Sequence, residues 1–340
     1  MRDWIKRRPK LSIFLGVLVV LLLALVLMAS KPFSIDETLS PDPAQSYTEA
    51  VSRIETIQAQ EGGMADLHPL CETRLLTHGD ETEQVIVFLH GFTSCPDQFA
   101  QIGQAYFEAG YNVYIPREPH HGIADKLGNP LLNYTAEEMA AFASQTADIA
   151  QGLGERVTVV GLSGGGTMAT WMAQERADVD LAVPIAPFLG IGFLPRVLNR
   201  PLTNLMLLVP NFFQWWDPIK KADNPFSAPY SYTRYPTHAL FETLRLGFAV
   251  ERDSKHQRPA AGSILVITNA NDESVNNDVV AEFEQLWHQH GEEFLQTFQF
   301  DKSLGLPHDL ITPTRPGGDI EAVYPKLEEL IPLMRSDTDS

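Results

Sequence analysis

Cysteine is almost missing from this chain: Cys71 and Cys95 are the only two among 340 residues. That excludes a disulfide scaffold and a cysteine-rich zinc site. No H-E-x-x-H pattern or Cys/His cluster is present either, so neither a metal nor a cofactor is implied. Basic residues are scarce beside acidic ones, 25 Lys and Arg against 43 Asp and Glu, for a formal net charge of −18. A body of that sign repels phosphate backbones, which excludes a nucleic-acid-binding role. Internal repeats and low-complexity tracts are missing too. What remains, 44% hydrophobic and 20% charged, is the composition of a globular protein long enough to bury a large core.

Long apolar runs are confined to the N-terminus. Leu11 to Ser30 carries no charge and follows Arg2, Lys6, Arg7, Arg8 and Lys10. As a helix it would extend about 30 Å, the thickness of a bilayer's hydrocarbon core. A cleaved signal peptide and an uncleaved anchor both fit such a run. Its length, and the poor match of Met28-Ala29-Ser30 to a small-x-small cleavage site, favour an anchor at residues 1–30. The basic flank then lies in the cytoplasm and the remainder outside.

Residues 31–80 read as a proline-bearing linker and an amphipathic helix over Pro43 to Gln60, stopped by Gly62-Gly63. Then apolar strands alternate with helices. Strands are expected at Val85–Leu89, Asn112–Ile115, Val157–Val160 and Leu181–Ile185, with helices between. Continuous apolar strands in this rhythm indicate a parallel sheet covered on both faces. The rhythm stops over 187–262, rich in proline and in Leu, Phe and Trp. It resumes with strands Ile264–Thr268 and Phe294–Phe300 and a last helix from Ile320 to Leu333. The expected division is a core in two parts, 81–186 and 263–336, split by an inserted helical lid at 187–262 that either lines an acyl pocket or packs only on itself.

Gly161-Leu162-Ser163-Gly164-Gly165 is G-x-S-x-G at a strand-to-helix corner. Glycines let the chain turn sharply there and leave the hydroxyl at the tip. An activated serine needs a base, an acid to orient the base, and N–H donors for the oxyanion. His308 follows the last strand, and no other histidine does. Asp272 follows strand 264–268, with Glu273 beside it as a rival and Asp309 as a poorer one. The N–H groups of Gly164 and Phe92 are the candidate oxyanion donors. His90 and His120 read as loop-stabilising, and His288 and His290 cannot share a metal. Cys71 and Cys95 are either one bridge or two buried thiols.

Together, Leu89-His90-Gly91-Phe92, the Gly161–Gly165 corner, Asp272 and His308 resemble an α/β-hydrolase, of the carboxylesterase, monoacylglycerol-lipase and serine-aminopeptidase-like branch. The resemblance covers about residues 80–335. Pro119-His120-His121-Gly122 is similar to a Gly-His-Gly turn of that branch, with histidine at the first glycine's place. Membership implies an eight-stranded, mostly parallel sheet flanked by helices and serine esterase or amidase chemistry. The expected function is a membrane-anchored, cofactor-free serine hydrolase acting on a small-molecule or lipid-like ester. An amidase or peptidase, an acyltransferase and a non-catalytic tethered binding protein are the alternatives.

Overall fold

The computed structural model describes residues 9–29, 31–35, 40–224 and 228–331. The N-terminal helix Pro9–Ala29 is 21 residues long. Of the anchor expected over 1–30, residues 1–8, Ser30 and several side chains of this helix lie outside the described residues. Among the described residues, no helix is long and apolar enough to cross a membrane. The next helix, Tyr47–Gly62, starts later than its apolar stripe suggested, because Ser46 caps it by accepting from the Glu49 N–H.

The alternating region builds one sheet. Its strands are β1 (Arg74–Leu76), β2 (Thr82–Leu89), β3 (Asn112–Ile115), β4 (Gly154–Leu162) and β5 (Leu181–Ile185). A separate hairpin, β6 (Phe213–Trp215) with β7 (Arg234–Pro236), precedes β8 (Ser263–Asn269) and β9 (Leu295–Phe300). The order across the sheet is β1-β3-β2-β4-β5-β8-β9. Every neighbouring pair is parallel except β1 with β3. Among the described residues this sheet therefore has seven strands where eight were expected. Pro184 sits inside β5 and pairs with Gly161 on β4, while the ladder to β8 skips Val183 and Pro184. Proline has no N–H to give.

Alternation along the central strands divides the core in two. Val85, Val87 and Leu89 of β2 face one way, under helices Ala136–Ala150, Gly164–Glu175 and Asn277–His288. Ile86 and Phe88 face the other, against Ile102 and Tyr106 of helix Ala100–Glu108 and Val323 and Leu327 of helix Ile320–Leu330. Burial on both faces explains why these strands are apolar throughout rather than every second residue. The parallel strands also end along one edge. The loops after β2, β4, β8 and β9 thus converge, and they carry Phe92, Ser163, Asp272 and His308.

Segment 187–262 contains helix Arg196–Met206, the β6–β7 hairpin and helix Thr237–Ser254. The last of these is long and well buried, with Leu244, Leu246 and Val250 in the core. The first leaves Val197, Leu198 and Leu205 exposed.

Candidate active site

Ser163 sits between β4 and helix Gly164–Glu175 with φ 57° and ψ −111°, a conformation a residue with a side chain adopts only under constraint. Its neighbours show why glycine is needed around it. A Cβ on Gly161 would lie 2.1 Å from the Gly165 carbonyl oxygen, and one on Gly165 would lie 2.1 Å from the Leu89 carbonyl oxygen. The helix N-terminus thus packs backbone to backbone against the end of β2, and the serine is pushed out at the corner. The Ser163 N–H donates to the Ile185 carbonyl at 3.0 Å, and its carbonyl accepts from the Phe188 N–H at 3.0 Å.

His308 reaches the same edge from the loop after β9. Its Nδ1 is 2.6 Å from Asp272 Oδ2. The Asp272 side chain is fully buried, and its other oxygen accepts from the N–H groups of Ser274 (2.8 Å) and Val275 (3.1 Å). With one oxygen held by backbone, the second has a fixed aim. It holds the ring proton on Nδ1 and leaves the Nε2 lone pair outward.

The rival acids are placed elsewhere. Glu273 is exposed. Asp309 accepts from the N–H groups of Ile311 and Thr312 and from the Thr312 hydroxyl, closing its own turn. Of the other histidines, His120 Nε2 lies 3.0 Å from Glu138, and His290 Nε2 donates to the Ser254 carbonyl at 2.8 Å. No group of His, Cys, Asp and Glu among the described residues could hold a metal.

Ser163 and His308 open onto one cavity of about 660 Å³, which Phe92, Phe188, Trp216 and Leu240 line on its apolar side. The backbones of Phe92 and Gly164 abut, since a Cβ on Gly164 would lie 3.0 Å from the Phe92 nitrogen. Gly164 opens its helix, so its N–H has no partner within that helix. The Phe92 loop and the first residue of that helix therefore lie side by side next to the serine.

The loop carrying Phe92 is braced in three ways. The Gly91 N–H donates to Gln98 Oε1 at 2.7 Å. Thr93, at φ 67°, is clasped from segment 187–262: Trp216 Nε1–H donates to its hydroxyl at 2.9 Å and the Tyr232 N–H to its carbonyl at 3.0 Å. Cys71 and Cys95 form a disulfide, which ties the far end of the loop to the segment before β1. The two readings left open for the cysteines thus resolve to the bridge. Removing it with Cys71→Ser and Cys95→Ser should cost about 3 kcal/mol of stability, the usual figure for closing a loop of this size; urea unfolding of the two forms measures it.

Beneath the loop lies a buried polar cluster that sequence reasoning missed. His90, Glu118 and His121 are inaccessible, and Tyr134 nearly so. Burial lowers His90 to about 3 and raises Glu118 to about 8. It also holds His121 well below, and Tyr134 well above, their ordinary values. His120, at the place of a glycine in the resembling family, keeps a left-handed backbone with φ 64°. Tyr232 braces that turn by donating to the His120 carbonyl and accepting from the Ile123 N–H, each at 2.9 Å.

These pKa values carry a stability prediction. Between about pH 3 and 6.5 the unfolded chain protonates His90 and the folded one does not, so folding stabilises as pH rises. Glu118 works oppositely: between about pH 4.5 and 8 the folded chain holds a proton that the unfolded chain has lost, so its contribution declines with rising pH. His121, shifted the same way as His90, adds to the acid side. Thermal unfolding followed across pH should therefore show greatest stability near pH 6.5.

A serine at a glycine corner and a carboxylate-held histidine thus line one cavity at the open edge of a parallel sheet. The alpha/beta hydrolase family model matches residues 86–302. The chain belongs to that family. Over 177 residues it is 28% identical to the thermostable monoacylglycerol lipase of Bacillus sp. (strain H-257), covering 47% of this chain and 60% of that protein. It thus spans about three-fifths of that relative's length. Among solved structures, the monoacylglycerol lipase of Paleococcus ferrophilus superposes with a TM-score of 0.56 at 15% identity, covering 76% of this chain and 97% of that one. A soluble variant of the monoglyceride lipase of Saccharomyces cerevisiae gives 0.55 at 10% identity, covering 78% and 92%. At those identities the structures share the fold.

Proposed function

We propose that the protein is a membrane-anchored serine hydrolase of carboxylic esters with one long acyl chain, a lipase- or esterase-type enzyme. The observation that carries the reading is the 2.6 Å contact of His308 with Asp272 on the cavity that Ser163 enters. In this mechanism His308 Nε2 takes the Ser163 proton as the hydroxyl attacks the ester carbonyl. The carbonyl oxygen becomes an anion held by the N–H groups of Phe92 and Gly164. His308 returns the proton to the leaving alcohol, and the acyl group stays on Ser163. Water, deprotonated by the same histidine, then releases the acid. Asp272 orients the ring and stabilises the imidazolium.

The apolar wall of Phe92, Phe188, Trp216 and Leu240 suits an acyl chain better than a charged peptide. The resemblance to monoacylglycerol lipases points the same way. A panel of nitrophenyl esters of rising acyl length, with aminoacyl anilides alongside, tests the assignment. Esters should be cleaved faster at medium and long chain length. A preference for anilides would reassign the enzyme as a peptidase.

In this proposal the part of 187–262 before the core helix Thr237–Ser254 acts as the lid. It clasps the Phe92 loop through Trp216 and exposes Phe193 (84%), Val197 (74%) and Ile219 (90%) to solvent. Exposed apolar side chains in such density mark a contact surface. Phe193→Ser with Ile219→Ser should lower activity on vesicle-borne ester several-fold, while a soluble short-chain ester is cleaved as before. Equal loss on both substrates would contradict a lipid-facing lid.

The anchor at 1–30 rests on the charge-free Leu11–Ser30 run with its basic flank. The Cys71–Cys95 bridge supports a catalytic domain on the oxidising side of the membrane. Sequencing the N-terminus of the membrane-extracted protein separates an anchor from a cleaved leader.

A further inference from the structure

Glu118 is a wholly buried carboxyl that the mechanism does not use. One oxygen accepts from the Tyr134 hydroxyl at 2.8 Å. The other, Oε1, has no hydrogen-bond partner among the described residues and lies 3.4 Å from His90 Nδ1. The Glu118 N–H donates to His90 Nε2 at 3.2 Å. Since Nε2 is thereby an acceptor, the ring proton belongs on Nδ1. Nδ1–H in turn lies 3.1 Å from the Gly91 carbonyl oxygen and donates to it.

That carbonyl shares a planar peptide unit with the Phe92 N–H. Whatever aims the Gly91 oxygen also aims the Phe92 hydrogen in the opposite direction. The Ser94 N–H is a second donor to the same oxygen, at 2.9 Å. His90 Nδ1–H thus stands between two acceptors: the Gly91 carbonyl, which it serves, and Glu118 Oε1, which has nothing else. A carboxylate is the stronger acceptor of the two, and a neutral carboxyl is not.

We propose that Glu118 is a positioning residue for the oxyanion loop, and that loss of its proton draws His90 Nδ1–H from the Gly91 carbonyl to Glu118 Oε1, loosening the peptide that aims the Phe92 N–H and giving the reaction an alkaline limb. The proposal rests on the reading of Phe92 as an oxyanion donor. The proton leaves to solvent, and the buried negative charge adds repulsion against the oxyanion itself.

Tyr134, His90 and His121, the groups that burial shifts around this carboxyl, keep their charge through that range. Tyr134, on the loop before helix Ala136–Ala150, stays protonated, as burial raises it. His90 and His121 stay neutral. Arg117 is engaged by Glu61 at 2.9 Å, and Glu138 of that helix by His120. Among these four shifted groups it is Glu118, raised to about 8, that changes charge between pH 7 and 9.5.

The test is the pH dependence of kcat and KM on a soluble short-chain ester, for the full-length chain in detergent and for Glu118→Gln. Wild-type kcat should fall about tenfold for each pH unit above the ionisation, with KM within about twofold. Glu118→Gln, neutral and of the same size, should hold its kcat level to pH 9.5. A Gln variant that keeps the wild-type limb, or a wild type without one, overturns the proposal. Thermal unfolding in a Ser163→Ala background gives a reading free of catalysis. The melting temperature should decline from pH 6.5 to 8.5 with Glu118 present and stay level with Gln; equal declines contradict the titration of Glu118. If Ser163→Ala itself still hydrolyses ester, the catalytic reading is what has failed, and the melting curves still report on Glu118.

Discussion

Replacing Ser163 with alanine should lower kcat by about 10⁴–10⁶-fold, to the level that binding and the oxyanion donors sustain without a nucleophile. The effect is that large because the serine, histidine and aspartate act as one unit. Once the attacking oxygen is gone, a base has no proton to take. Two consequences are measurable. His308→Ala should cost nearly as much as Ser163→Ala, and the double variant should be no slower than either alone. The substitution should also leave folding intact. Ser163 holds its strained φ of 57° through backbone contacts with Ile185 and Phe188, and alanine keeps all of them. Burst kinetics with a nitrophenyl ester and circular dichroism of the same samples settle both points.

Asp272→Asn should lower kcat by about 10⁴-fold near neutral pH with little change in KM. The physical reason lies in the proton on His308. In the wild type, Asp272 Oδ2 accepts from Nδ1–H at 2.6 Å, so Nε2 is the base. An asparagine that keeps its Oδ1 on the Ser274 and Val275 N–H groups turns its NH₂ toward the ring. The imidazole then accepts on Nδ1 and carries its proton on Nε2, where it cannot receive one from Ser163. Glu273→Gln is the control, and full activity is expected because that side chain is exposed. A reversed outcome, with Glu273 essential and Asp272 dispensable, would move the acid by one residue.

How much of this could be read beforehand depended on whether backbone geometry imposed a residue type. The Gly161–Gly165 corner was legible because close backbone approach leaves room only for glycine there. Apolar strands β2, β4 and β8 were legible because burial on two faces removes polar residues from them. Asp272 and His308 could be expected near each other because each follows a parallel strand that ends on the same edge as β4. Three-residue strands such as β1, β6 and β7 are too short to show a period, and the expected eighth strand has no counterpart among the described residues.

Contacts between distant segments that no motif announces were not legible. Nothing local to Cys71 or Cys95 distinguishes a bridge from two thiols across 24 residues. The clasp of Trp216 on Thr93 joins positions 123 residues apart. Glu118 precedes Pro119 in a polar turn with no local sign of burial, and only the packing of His90, His121 and Tyr134 around it reveals that it is buried. His120 shows the converse case: the sequence departed from glycine, and the backbone kept the left-handed turn nonetheless.

The measurement that bears most directly on the account is covalent labelling by a fluorophosphonate ester, followed by peptide mass spectrometry. The account predicts one adduct per chain, on Ser163, formed rapidly in the wild type and lost in Ser163→Ala and His308→Ala. An adduct on another residue, or hydrolysis of esters by a chain that takes no label, would contradict it.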